Sequence, residues 1–457
     1  MTADQPQLAR RLTFGGAVAI GLASMIGAGV FSVFAPAAAA AGDLMLVGLA
    51  IAAFVAFANA GSTAQLAARY PESGGAYRYG RARLGEWPGF LAGWGFVIGK
   101  TASCAAMAMT AAAYLVPPEW QRPVAITAVV VIVGVNLLGI TRTARAATII
   151  VIVVLAVLGL VIVAGIVAAA DPGDRVLLVI GPDTRPPETG SGTSIVTLTA
   201  ETPPVASVWG VLQAAGLLFF AFAGYARVAT LGEEVVDPAR TIPRAVHTAL
   251  GIVFALYAAV AVTLLAALGA SALATSDAPL ADTVALAGWT WAEPVVRAGA
   301  GLAALGALLA LIAGVGRTAL AMARDRELPA PLATVHPQMR VPHVAEVSVG
   351  AAIILLVLVA DLRGAIGFSS FGVLVYYLIA NLAAVTQPPA ERQVPRALSV
   401  AGAIGCLVLA VTLPWASVAA GVAVFVVGVG VRLIVRATRR RRGRTPGRPP
   451  QGPVGPT

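Results

Sequence analysis

Charge is scarce in this chain. Of its 457 residues, 11% are charged and 58% are hydrophobic, and the mean hydropathy is +0.86. That shortage excludes a water-soluble globular domain, which could not hide so much apolar surface, and makes lipid the solvent. Cysteine and histidine are scarcer still. Cys104 and Cys406 fall inside apolar runs, and His247, His336 and His343 fall near the ends of such runs. Neither a disulfide framework nor a metal-ligand spacing can be built from them. The chain has no complete Gly-x-x-x-x-Gly-Lys-Ser/Thr phosphate loop, which speaks against ATP-driven work. A filter-like loop, a charged pore ring and a sizeable signalling domain are missing too, so a channel or receptor lacks its parts. Outside the tails and residues 171–206 there is no room for a catalytic domain, and no enzyme, cofactor or metal is expected.

What is there is long apolar sequence. Leu44–Ala68, Ala146–Ala170, Ala249–Ser276, Gly364–Ala390 and Ala397–Val431 carry no charge. A membrane span takes about 20 apolar residues, so the last run reads as two helices parted near Pro414. The full pattern predicts twelve, near 14–38, 44–68, 85–115, 122–140, 146–170, 207–231, 245–272, 294–322, 343–360, 364–387, 397–413 and 415–436. No cleavable signal peptide is expected before the first. With the N-terminus inside, the inner segments hold Arg10, Arg11, Arg69, Arg78, Arg81, Arg83, Arg142, Arg145, Arg240, Arg244 and the C-terminal cluster, whereas the outer loops hold Arg122, Arg175, Arg185, Arg297 and Arg363. That asymmetry predicts a multi-pass protein of the cytoplasmic membrane with both termini inside. The same rule accounts for the basic run Arg436–Arg448 without nucleic acid, and anionic lipid heads are its expected partner.

The chain divides into matching halves. A Pro-, Ser-, Thr- and Gly-rich outer loop over residues 171–206 separates five helices (14–170) from the next five (207–387); residues 388–436 add two more, between tails at 1–13 and 437–457. The first helix of each half is interrupted by glycine: "SMIGAGVF" at Ser24–Phe31 and "FFAFAGYARVA" with Gly224 near its centre. Close helix packing is one use of such glycines. Glycine breaks at matching positions of two halves point to a second use, a central site where bare backbone lines a cavity or binds a ligand. Five helices per half force the second half to enter the membrane inverted. The outer half of the first helix, starting near Gly29, presents its partly positive N-terminal end at mid-membrane, suited to a carboxylate. Carbonyls freed around Phe222–Gly224 suit an ammonium group. A site offering both fits an amino acid.

Four stretches in order carry a family resemblance. "GLASMIGAGVF" (Gly21–Phe31), "ARYPESGGAYRYGRARLGEWPGFLAGW" (Ala68–Trp94), "FFAFAGYARVATLGEEVVDPARTIPRA" (Phe219–Ala245) and "GRTALAMARDRELPAPLATVHP" (Gly316–Pro337) resemble the glycine, loop and helix-end motifs of the amino acid–polyamine–organocation superfamily of permeases. The resemblance implies an all-α membrane protein of 12 transmembrane helices: a five-plus-five inverted repeat of LeuT-like form with discontinuous helices one and six, plus two extra helices. It implies secondary transport of amino acids by alternating access. It also implies substrate contacts at Ile26, Gly27, Ala28 and Gly29 for the carboxylate, and at Phe222, Ala223, Gly224 and Tyr225 for the amino group. Glu233 and Glu234, with Asp237, Arg240 and Arg244, are expected to form inner ion pairs that break as a gate opens.

Two cations depart from the pattern. Lys100 in helix three and Arg227 in helix six lie inside spans that hold no deep acidic partner, and a charge at that depth is a functional candidate by default. Arg227 is close enough to Glu233 and Glu234 to snorkel towards the gate. The helix-five lysine of many family members aligns with Val154, so Lys100 is the coupling candidate, either a titratable cation or a fixed partner of backbone carbonyls. Cationic carriers of the family carry acidic residues near Gly99 and Ala226, where this chain has positive charge alongside, which predicts neutral or acidic amino acids carried by proton coupling or exchange. A polyamine, amine or cationic amino acid carrier of the same fold is the alternative.

Overall fold

The computed structural model describes residues 13–70, 74–138, 144–170, 207–225 and 235–442. In chain order the helices are α1 (Phe14–Met25), α2 (Gly29–Ser32), α3 (Phe34–Ala41), α4 (Met45–Arg69), α5 (Ala76–Leu84), α6 (Glu86–Leu115), α7 (Pro118–Leu137), α8 (Ala144–Ala170), α9 (Val208–Phe222), α10 (Pro238–Thr275), α11 (Pro279–Leu286), α12 (Glu293–Arg324), α13 (His343–Val359), α14 (Leu362–Val385), α15 (Arg396–Thr412) and α16 (Trp415–Arg442). Nine apolar helical stretches among the described residues are long enough to cross a membrane, and α9, α13 and α15 are shorter apolar helices. Each predicted interval contains helix; in the sixth the described helix ends at Phe222, and residues 226–231 lie outside the described ones.

Local chemistry sets many of the boundaries. Proline at the first or second helical position opens α7, α10, α11 and α12, where its missing N–H is no loss. Ser207 caps α9 by accepting from the Gly210 N–H, and Asp361 caps α14 by accepting from Gly364 N–H at 3.0 Å. Tyr70 ends α4 because it precedes Pro71, which disfavours helical geometry in the residue before it. Pro414 parts α15 from α16, as expected. The short helices α5 and α11 lie in loops and were not anticipated, since neither is long enough to register as a span.

Packing is densest within two groups. α1, α3 and α4 pack around α10, and α9 on α3 and α4, while α6 packs on α12 and α14, with α13 and α7 beside them; α14 also touches α4 and α9. Without a hydrophobic drive inside lipid, such contacts depend on small residues that let backbones approach. A Cβ added at Gly95 would lie 2.8 Å from the Gly372 carbonyl oxygen, and one at Gly99 would lie 3.0 Å from that of Ser369. This glycine seam, closed by a 2.6 Å contact between the Ser103 and Ser369 hydroxyls, fixes α6 against α14 and aims the middle of α6 at the other group.

Charge gathers at one end of the bundle. Arg432 of α16 is 1% exposed, its Nη2 lies 2.7 Å from Glu327 Oε1, and its guanidinium sits 4.2 Å from the Trp87 ring centre. Arg81 reaches the same Glu327 oxygen at 3.2 Å, and the Tyr77 hydroxyl donates to Asp325 at 2.7 Å. The last predicted span, 415–436, contains Arg432, which the sequence reading did not single out beside Lys100 and Arg227. The pairing with Glu327, 105 positions earlier, is visible only in three dimensions.

Candidate functional site

The first expected interruption is present; at the second the helix ends in a turn, and residues 226–234 lie outside the described ones. α1 stops at Met25; Ile26, at φ −80° and ψ 76°, leaves the helix, and winding resumes at Gly29. Gly27 N–H turns back to the Met25 carbonyl at 2.9 Å. α9 stops at Phe222, and Ala223–Tyr225 form a turn. The glycines here are required by close approach, since neither Gly27, Gly29 nor Gly224 has a positive φ. A Cβ on Gly224 would lie 2.0 Å from the Ser24 carbonyl oxygen, one on Gly29 would lie 2.8 Å from Ala221 Cα, and one on Gly27 would lie 3.1 Å from Ala307 Cβ. Packing and interruption are therefore one device: the two breaks rest backbone against backbone.

Freed main-chain groups in a dry interior need partners. The Tyr257 hydroxyl on α10 lies 2.7 Å from the Met25 carbonyl and 3.3 Å from that of Ala221, so it ties both breaks. The Tyr114 hydroxyl on α6 donates to the Phe31 carbonyl at 3.1 Å. Ser32 Oγ donates to the Ala28 carbonyl at 2.9 Å. Lys100, midway along the 30 residues of α6, places Nζ 3.2 Å from the Ala223 carbonyl, which the Tyr377 hydroxyl also approaches at 3.4 Å. Tyr377 stacks on Tyr225 with ring centres 5.0 Å apart. Among the described residues no carboxylate forms an ion pair with Lys100, whose residue is 9% exposed. It is a partner of backbone carbonyl, one of the two roles expected for it.

The structure thus brings Ile26, Gly27, Ala28 and Gly29 together with Phe222, Ala223, Gly224, Tyr225 and Lys100; all are buried except the half-buried Gly224. Val154 is fully buried in the apolar core. Arg227, Glu233 and Glu234 lie outside the described residues. Of the remaining expected gate pairs, Asp237 and Arg240 meet at 4.0 Å. Sequence reading missed Tyr114, Tyr257 and Tyr377. A usable signal existed, because a tyrosine within an apolar run must find its hydroxyl a partner. Among the described residues no three His, Cys, Asp or Glu side chains gather as a metal site.

Two clefts open at the far end from Arg432. One, of about 430 Å³, is lined by Tyr114, Gln121, Asp277, Asp282 and Arg297; the other, of about 270 Å³, by Phe31, Ser32, Pro36, Asp277, Asp361 and Arg363. Burial raises the Asp282 carboxyl above its usual range, opposed by the Ser276 hydroxyl and by Arg297. Neither cleft is lined by residues 24–29 or 222–225. The breaks were expected to face a cavity; here the contacts at Gly29 and Gly224 close them on each other, while Tyr114 and Phe31, in edge-to-face contact, each line one of the clefts.

A family model described as "Amino acid permease" matches residues 12–454. An "uncharacterized transporter" of Mycobacterium tuberculosis is 56% identical over 440 residues, covering 95% of this chain and 94% of its own length. The branched-chain amino acid permease of Bacillus subtilis is 25% identical over 448 residues, 91% of either chain. Cationic amino acid transporter 7, chloroplastic, of Arabidopsis thaliana is 29% identical over 399 residues, 82% of this chain and 65% of its own.

Proposed function

The chain belongs to the amino acid permease family, and we propose that it is a secondary active transporter moving amino acids across the cytoplasmic membrane by alternating access. The observation that carries this reading is the meeting of the break after Met25 with the end of α9, where Gly224 lies on the Ser24 backbone and Gly29 on that of Ala221. Backbone at Ile26–Gly29 binds the substrate carboxylate, because the first N–H groups of the resumed helix have no partner within it. Carbonyls of residues 222–225 bind the amino group. Helices one to five and six to ten form inverted repeats, and relative motion of the two helix groups opens the site to each side in turn. The arginine-rich end is cytoplasmic, Arg227, Glu233 and Glu234 belong to the inner gate, and the basic C-terminal tail meets anionic lipid.

Lys100 favours neutral or acidic substrates, since an ammonium already beside the site repels a second cationic side chain. Transport is proton-coupled or an exchange, with Lys100 as the coupling residue. The names of the plant relatives favour a second reading, a carrier of cationic amino acids or polyamines. Purified protein in liposomes, offered a panel of labelled amino acids with and without a pH gradient, separates the readings. Saturable uptake of neutral or acidic amino acids is the expected result. Uptake of lysine or polyamines alone supports the second reading, and uptake of nothing in the panel refutes both.

A further inference from the structure

Lys100 does more than sit near the site. Its Nζ donates to the carbonyl of Ala223, the first residue after α9 ends and one of the groups just assigned to the substrate's amino nitrogen. Beyond its Cβ the lysine side chain is an alkylammonium, with the same cationic donor head as an amino acid's α-nitrogen. The contact also crosses between the two helix groups: Lys100 stands on α6, locked to α14 by the seam at Gly95 and Gly99, whereas Ala223 follows α9 in the group containing α1.

From this geometry we propose that Lys100 is a tethered stand-in for the substrate's ammonium, filling the amino subsite at Ala223 when the carrier is empty and withdrawing when an amino acid binds. The proposal rests on the reading of residues 222–225 as the amino subsite. Its physical basis is the cost of closing an empty site. A carbonyl left bare in a dry interior loses water and gains nothing. An empty carrier without Lys100 would have to close with the Ala223 carbonyl relying on Tyr377 alone among the described side chains. With the lysine in place the closed empty state is capped, so the carrier returns without cargo. Net transport follows, where a carrier lacking the cap would be confined to exchange.

One test needs no knowledge of the substrate. Full-length Lys100→Ala is expected to show a saturable rise in unfolding temperature with propylammonium, and little with propanol or propionate at equal ionic strength, while wild type, its subsite already filled, does not respond. A purely space-filling role would make propanol as effective. An equal response to propanol, no response, or the same response in wild type overturns the proposal. Should K100A fold poorly, extraction in propylammonium is expected to recover it, and failure to recover it counts against the idea equally. Lys100→Met, which fills the space without the charge, supplies the transport measurement. For the amino acids that wild type carries, the ratio of net uptake to exchange is expected to fall about tenfold or more. Equal loss of both overturns the proposal. If wild type carries no amino acid at all, the transport reading fails, yet the propylammonium measurement still reports on the subsite.

Discussion

Replacing Tyr257 by phenylalanine keeps the ring that packs against Phe222 at 5.3 Å and deletes only the hydroxyl that ties the two breaks. The 2.7 Å bond to the Met25 carbonyl is short and fully buried; the 3.3 Å approach to Ala221 is weaker. A buried acceptor stripped of its donor costs about 1–3 kcal/mol. Counting the Met25 bond in full and the Ala221 contact for little gives roughly 1.5 kcal/mol, close to a factor of ten in an equilibrium constant. That cost falls on the state in which α1 and α9 meet through Tyr257. Y257F therefore shifts the population about tenfold away from this closed arrangement. The measurement is modification of a single cysteine at Ser24, whose carbonyl touches Gly224, in a background with Cys104 and Cys406 replaced by alanine. About tenfold faster modification is expected in Y257F. A rate unchanged within about twofold, in protein that remains folded, refutes the role given to the hydroxyl.

Gly224→Ala places a methyl group 2.0 Å from the Ser24 carbonyl oxygen, where backbone must move; the expected loss is about 1–3 kcal/mol or more in unfolding free energy, with transport abolished, and an unperturbed unfolding midpoint would show that the breaks do not touch. Glu327→Ala removes the nearest carboxylate of the buried Arg432 guanidinium, which keeps the Glu86 carbonyl at 3.1 Å and its carboxylate at 4.0 Å, and is expected to cost about 3–5 kcal/mol, read by thermal unfolding in detergent. Arg432→Met should cost less, because Arg81 still reaches Glu327 at 3.2 Å, and the double change Glu327→Leu with Arg432→Met should recover most of the loss. The raised carboxyl of Asp282 favours the protonated form in the folded protein, so its contribution is full below the unfolded carboxylate range and fades as pH rises through the folded value. Asp282→Asn, keeping a partner for the Ser276 hydroxyl, is expected to flatten that part of the stability–pH curve; an unchanged slope would place the pH dependence elsewhere.

Hydropathy alone located helix in all twelve intervals because each is a local property, twenty or so residues that cannot stay in water. The two breaks were legible for a related reason: Gly27, Gly29 and Gly224 are visible departures inside apolar runs. Why they are glycine was half legible. Their positions suggested either packing or unwinding, and only coordinates show that the helix ends flanking the breaks are packed on each other, Gly224 on Ser24 and Gly29 on Ala221. What stayed hidden are relations between distant residues with no repeating pattern. The pairing of Arg432 with Glu327, and of Tyr257 with two carbonyls on different helices, depends on which side chains the fold turns inward. Lys100 lies between these cases. Its depth announced a function, and the absence of a nearby carboxylate pointed to backbone as its partner, but the identity of that backbone decides the chemistry. A lysine on any other carbonyl would be a structural cap. On the proposal that Ala223 is where a cargo's own nitrogen binds, the residue that would exclude cationic side chains would also compete with the cargo, and selectivity and turnover would be consequences of one contact.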